Sequence, residues 1–138
     1  MVGYLLLFVI IFIIALSLKT LFVPAALQEK YLSWESFIYL IFIYSTIFLG
    51  FGLIYFIFIQ NGFTILLEKG AKVEDTLTSL HTCFYFSGLT LFSVGYGDVV
   101  PVGIGRGIAI MEAMIGYTIP ASFIIRTTVD LRKERDNL

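Results

Sequence analysis

The sequence holds one cysteine, Cys83, and one histidine, His81. A lone cysteine excludes an intramolecular disulfide and any thiolate cage for a metal within one chain. A lone histidine, with no Ser-His-Asp array and no Gly-x-Ser-x-Gly elbow around it, gives no footing for an enzyme. Charge is scarce as well. Only 14% of the 138 residues are Asp, Glu, Lys or Arg, against about 25% in soluble domains. Nine basic residues stand against ten acidic ones, a net charge of −1, which argues against a nucleic-acid module. There is no nucleotide-binding fingerprint, no internal repeat, no linker long enough to separate two domains, and no arginine-rich helix of the voltage-sensing kind. The stretch from Met1 to Phe12 lacks Lys and Arg, and Ala15-Leu16-Ser17 is a poor cleavage site, so a secretory signal is not expected.

What is present is apolar. Hydrophobic residues make up 59% of the chain, with 14 Phe and 8 Tyr, and the mean hydropathy is +0.95. Such a composition excludes disorder. A chain this short forms one compact unit and cannot hide that much apolar surface in its own core. Its solvent is therefore partly lipid. A spanning helix needs about 20 largely apolar residues, and the sequence predicts three. They lie at 1–24, closed by Pro24; at 37–59, without one charge; and at 102–126, which carries Arg106 and Glu112. The stretch 75–91 is too short to span and reads as a re-entrant helix, capped by Asp75 or Thr76 with Glu74 and Asp75 at its positive end. The expected fold is thus an all-α, multi-pass membrane protein. Lys19, Lys30, Arg126, Arg132, Lys133 and Arg135 gather on one side, in the 25–36 linker, the 127–138 tail and their flanks. Lys69, Lys72 and Arg106 fall on the other. That bias predicts an extracellular N-terminus and a cytoplasmic C-terminus, with Tyr31 and Trp34 at the membrane interface.

Between the short helix and the last span runs Thr90-Leu91-Phe92-Ser93-Val94-Gly95-Tyr96-Gly97-Asp98. Gly95 and Gly97 permit positive φ at alternate positions. A chain with that alternation can aim successive carbonyls in one direction, and a row of carbonyls at membrane depth is an oxygen cage for a dehydrated monovalent cation. Backbone left unpaired in this way is tolerated only where it lines a cavity or is buried in protein. One chain supplies one wall, so a closed pore needs several copies.

Ser93-Val94-Gly95-Tyr96-Gly97-Asp98 closely resembles the potassium-channel signature Thr-Val-Gly-Tyr-Gly-Asp. The resemblance extends upstream through the aromatic-rich helix Phe84–Leu91 and downstream through Pro101 and Gly105-Arg106 to Gly116. It covers residues 37–126 as outer helix 37–59, pore helix 75–91, filter 93–98 and inner helix 102–126, in a prokaryote-like pore with an additional N-terminal transmembrane helix. It implies a homotetramer in the lipid bilayer that passes K⁺ through its filter, with K⁺ the bound and permeant ion and no cofactor. A cytosolic regulatory domain or subunit would come from outside this chain.

By the same resemblance, the backbone carbonyls of Ser93, Val94, Gly95 and Tyr96 form stacked K⁺ sites. The Ser93 hydroxyl completes the innermost, and the Gly97 carbonyl faces the outer mouth. Asp98 ties the filter to the pore helix, and Tyr96 packs on Tyr85 and Phe86. Two departures stand out: Ser93 replaces Thr, and Phe92 puts a bulky ring at the cavity end. The intact Gly95-Tyr96-Gly97 argues against a weakly selective cation channel, and the short C-terminal extension against a membrane anchor for a soluble partner.

Other residues admit paired readings. Glu112, an intramembrane acid, either tunes the ion field or braces the filter through Ser87 or Thr90. Gly116 and Pro120 lie one turn apart, and Pro120 clashes with the carbonyl four residues back and lacks a donor for it. The bend is a gate hinge or a fixed kink filled by neighbours. His81 reads as an interfacial histidine rather than a pH sensor, and Cys83 as a small buried residue. Gly50 and Gly52 read as close-packing positions.

Overall fold

The structure is a computed structural model that describes residues 2–22, 34–73 and 75–136. Four helices dominate it: α1 (Val2–Phe22), α2 (Trp34–Gln60), α3 (Thr76–Leu91) and α4 (Ile104–Asp136). Leu, Ile, Phe and Val predominate in α1 and α2 and leave neither with a polar face, the pattern of a helix with no aqueous side. Among the described residues, Phe37–Gln60 has the length and apolarity to cross a membrane, while the apolar part of α1, Gly3–Lys19, is shorter. Pro24, the 25–33 part of the linker, Tyr31, Glu74 and the Trp34 side chain lie outside the described residues.

Helices α1 and α2 form an antiparallel pair. Gly50 lies against Ile10 and Ile14 midway along, and Gly3 lies beside the Asn61 side chain at the far end of α2. Phe84 of α3 covers Gly52 in the same way. Both glycines sit where a methyl group would keep the helices apart, as the close-packing reading requires.

The all-helical expectation needs one correction. Between α2 and α3 the chain makes β1 (Leu66–Glu68) and β2 (Ala71–Lys72), and β3 (Val99–Pro101) follows the 93–98 loop, giving an antiparallel sheet in the order β2-β1-β3. Lys69 and Gly70 link β1 to β2 with φ of 49° and 82°. Positive φ at both central residues is the requirement of a tight type I′ hairpin, whose twist suits the strands it joins. Leu67 pairs with Val100 across β1 and β3. Strands of two or three residues are too short for any alternation to show in the sequence.

The core lies where α2, α3 and α4 meet, around Ile47, Tyr55, Cys83, Leu91 and Ile119. Helix α4 runs through Pro120 and past the expected end at 126, so the backbone of the expected tail continues as helix to Asp136.

Candidate functional site

The site begins with how α3 starts and stops. Asp75 caps it, accepting from the Thr78 backbone N–H at 3.0 Å and from the Thr78 hydroxyl at 3.1 Å. These bonds, the backbone one first, hold the Asp75 carboxyl below the usual carboxylate range. At 1.5 Å per residue the helix's 16 residues reach about 24 Å, short of the roughly 30 Å hydrocarbon core. It stops at Phe92. The Ser93 N–H then donates back to the Thr90 carbonyl at 3.0 Å and the Val94 N–H to the Leu89 carbonyl at 2.8 Å. That pair of bonds is a Schellman ending, whose C′ residue must take left-handed backbone and is usually glycine. Here it is Ser93, with φ 55°.

From Ser93 the positive φ recurs at every second residue: 55° at Ser93, 60° at Gly95 and 80° at Gly97. Residues 93–97 are all exposed. Among the described residues, none hydrogen-bonds to the backbone of residues 95–97. Below Ser93, a concave wall is formed by Ile110, Ala113, Met114, Tyr117 and Thr118 of α4.

Two sets of struts hold the Asp98 end and the back of this loop. At the Asp98 end, the Tyr85 hydroxyl donates to Asp98 Oδ2 at 2.8 Å, and the Val99 N–H to Asp98 Oδ1 at 3.1 Å. The Lys69 N–H donates to the Asp98 carbonyl at 2.9 Å, so the hairpin turn grips the same residue. Thr82 donates to Glu68 at 2.8 Å, pinning α3 to β1. Behind the loop, fully buried Glu112 accepts from the Tyr55 hydroxyl at 2.8 Å and meets the Ser87 hydroxyl at 2.5 Å. Ser87 Oγ also lies 3.0 Å from the Phe48 carbonyl. One carboxyl thus joins α2, α3 and α4, and Phe86 packs edge-on to Tyr55 at 5.2 Å.

A third contact set lies at the Phe92 end of the loop. The Tyr44 hydroxyl donates to the Gly116 carbonyl at 2.8 Å. The Tyr44 ring stacks on Phe92, with centroids 5.6 Å apart and planes within 5°. Gly116 itself presses on the end of α3, where a Cβ would run into the Leu91 carbonyl oxygen.

A family model described as ion channel matches residues 43–132, which takes in α3, the 93–98 loop and most of α4. The chain belongs to this ion-channel family. Among curated proteins it is similar to Protein LctB of Bacillus caldotenax, 41% identical over 115 residues that cover 83% of this chain and 86% of the relative. Protein LctB of Geobacillus stearothermophilus is 42% identical over the same share. No solved structure matches.

Within the chain, the residues expected to coordinate the ion, Ser93, Val94, Gly95, Tyr96 and Gly97, form one exposed irregular segment. Asp98 and Tyr85 meet directly. Glu112 has Ser87 as its partner, one of the two hydroxyls anticipated. Tyr96 is 76% exposed, while Phe86 is buried against Tyr55, so Phe86 supports the back of α3 rather than receiving the Tyr96 ring. His81 is exposed and Cys83 is buried. Among the contributors that escaped the sequence reading are Tyr55, Tyr44 and the left-handed Ser93. The tyrosines sit among many aromatics of one apolar helix, and only contacts distant in the chain single them out. Ser93 had one available signal, its position just past the last turn of a helix.

Proposed function

We propose that the chain is one quarter of a homotetrameric, potassium-selective channel, with the filter formed by residues 93–98 of four copies. The observation that carries this reading is the exposed run in which positive φ falls at Ser93, Gly95 and Gly97, in the sequence Ser-Val-Gly-Tyr-Gly-Asp. Alternating left- and right-handed residues turn successive carbonyls to one side. The carbonyls of Ser93, Val94, Gly95 and Tyr96 replace the water shell of K⁺, and that of Gly97 meets the ion at the outer mouth. The Ser93 hydroxyl closes the innermost site. The C-terminal, negative end of α3 favours a cation in the cavity beneath, and the α4 wall of Ile110, Met114 and Tyr117 encloses that cavity. Conduction is passive, with no chemical step.

Three spans per chain follow: α1, α2 as outer helix and α4 as inner helix, with α3 re-entrant. Within one protomer Val94, Tyr96, Met111, Met114 and Tyr117 are exposed, an apolar surface suited to neighbouring copies rather than to water. Most large side chains of α1 are exposed as well, Ile14 being the buried exception, which suits a helix facing lipid on the outside of the assembly. The N-terminus lies extracellularly, on the side of the hairpin and Asp98, and the C-terminus is cytoplasmic. The hinge reading of Gly116 and Pro120 belongs to the same proposal.

Purified protein in liposomes should take up ⁸⁶Rb⁺ against a trapped K⁺ gradient. In planar bilayers, reversal potentials should track K⁺ and not Na⁺. A reversal potential indifferent to the K⁺/Na⁺ ratio would overturn the selectivity assignment.

A further inference from the structure

In an α-helix the carbonyl of residue i accepts from the N–H of residue i+4. Residue 120 is proline, so the Gly116 carbonyl has no donor in its own helix. Bilayer interiors offer no water to replace it. Gly116 has no side chain and its Cα face is closed by the end of α3, so the missing donor has to come from another helix. It comes from Tyr44 of α2, whose hydroxyl lies 2.8 Å from that oxygen.

The same side chain has a second partner at its other end. Its ring lies flat on Phe92, the residue that ends α3 and immediately precedes Ser93. A tyrosine ring and its oxygen form one rigid plate that turns about only two torsions. Movement of the Gly116 carbonyl must therefore break the hydrogen bond or carry the plate, and with it Phe92. We infer that Tyr44 is a positioning residue that couples the inner-helix kink to the cavity end of the filter. Its hydroxyl holds the Gly116 carbonyl that Pro120 leaves free, and its ring carries Phe92. This inference rests on the channel reading above. It gives Phe92, the departure for which the signature offers no role, a definite one as the contact between kink and filter.

The test is a double-mutant cycle in the full chain. Tyr44→Phe keeps the ring and removes the donor. Pro120→Ala restores an N–H to the Gly116 carbonyl and makes that donor redundant. Single-channel recordings of Tyr44→Phe should show the open-to-closed ratio changed by about fivefold, the worth of one hydrogen bond. In the Pro120→Ala background the same substitution should change it by less than about twofold. Equal effects in both backgrounds, or no effect of Tyr44→Phe in the parent, would overturn the inference, because a ring that merely fills space is indifferent to residue 120. Tyr44→Leu and Phe92→Leu should each alter unitary conductance, and combined should do no more than either alone; additive changes would remove the link to the filter. The thermal midpoint of the assembled protein in detergent gives the same cycle without any ion. There the hydrogen bond is tested even if the permeant ion is not K⁺, so failure of the selectivity reading and failure of the coupling remain distinguishable. If Pro120→Ala does not assemble, Pro120→Leu restores the same N–H.

Discussion

Nothing in its own chain lies within 4 Å of the place where a Cβ on Gly95 would stand, so within the chain the obstacle to alanine is conformational. With φ at 60°, the added carbon costs roughly 1–2 kcal/mol per chain, a cost that the proposed tetramer would repeat in each copy. Gly95→Ala should therefore abolish conduction or K⁺ preference, whereas Tyr96→Phe, which keeps every carbonyl, should retain both. Reversal potentials in planar bilayers check the order, and a Gly95→Ala channel with unchanged preference would refute carbonyl coordination by this loop. Asp75 makes a different prediction. Its carboxyl is held below its ordinary range by the Thr78 N–H, so the capping stabilisation is complete above the unfolded carboxylate range and is lost as pH falls through the lowered value. The protection factor of the Thr78 amide, its exchange relative to the intrinsic rate at each pH, should hold at mildly acidic pH and fall only beyond that point; in Asp75→Asn it should not change across that range. Gly95, Gly97 and Asp75 were legible because their chemistry is local: positive φ and helix capping each favour few residue types. Ser93 was not, since serine is no specialist in left-handed backbone and takes it here only because a helix ends beneath it.

Elements were legible according to their length. The 75–91 helix announced itself as too short to span, and the charge-free run of α2 as long enough. The sheet did not, because its strands are shorter than one full period of alternation, and Lys69-Gly70 is an uncommon pair for the tight turn that joins two of them. Joints between elements were legible only in half. Glu112 stood out as an acid in an apolar span, but its Tyr55 partner is 57 positions away and has no sequence signal. That joint can be tested by shape and donor count. Glu112→Gln keeps three bonds: its carbonyl takes the Tyr55 proton, its amide donates to Ser87, and Ser87 donates to Phe48. It should assemble and conduct. Glu112→Ala leaves the Tyr55 hydroxyl buried without an acceptor and opens a cavity, at a cost of about 2–4 kcal/mol. Thermal midpoints in detergent should fall for Ala and hold for Gln; equal loss would show that the charge, rather than the bonding, matters.

For the whole molecule, composition alone gave the membrane class, since 59% hydrophobic residues cannot be hidden in a core this small. That several copies assemble follows from a weaker premise, that one strand cannot enclose an ion, and the number four comes only from the resemblance to the potassium-channel signature. Native mass spectrometry in mild detergent should find four times 15.6 kDa, and a monomer as the conducting species would end the proposal. Cysteine placed at Val2 should react with impermeant reagents from outside, in a Cys83→Ser background; labelling only from the cytoplasm would reverse the topology.

The shared role of Ser93 has a consequence at this scale. Because Ser93, the left-handed residue just past the cap of α3, is on the proposal above also the first rung of the filter, no spacer separates the two. In the proposed tetramer each filter segment would be measured off from its own helix end, so that all four would start at one height without having to find each other. The same economy leaves no slack for length change. One residue inserted between Leu91 and Ser93 would shift the alternation out of phase, bringing Val94 rather than Gly95 to a left-handed position, in every copy at once.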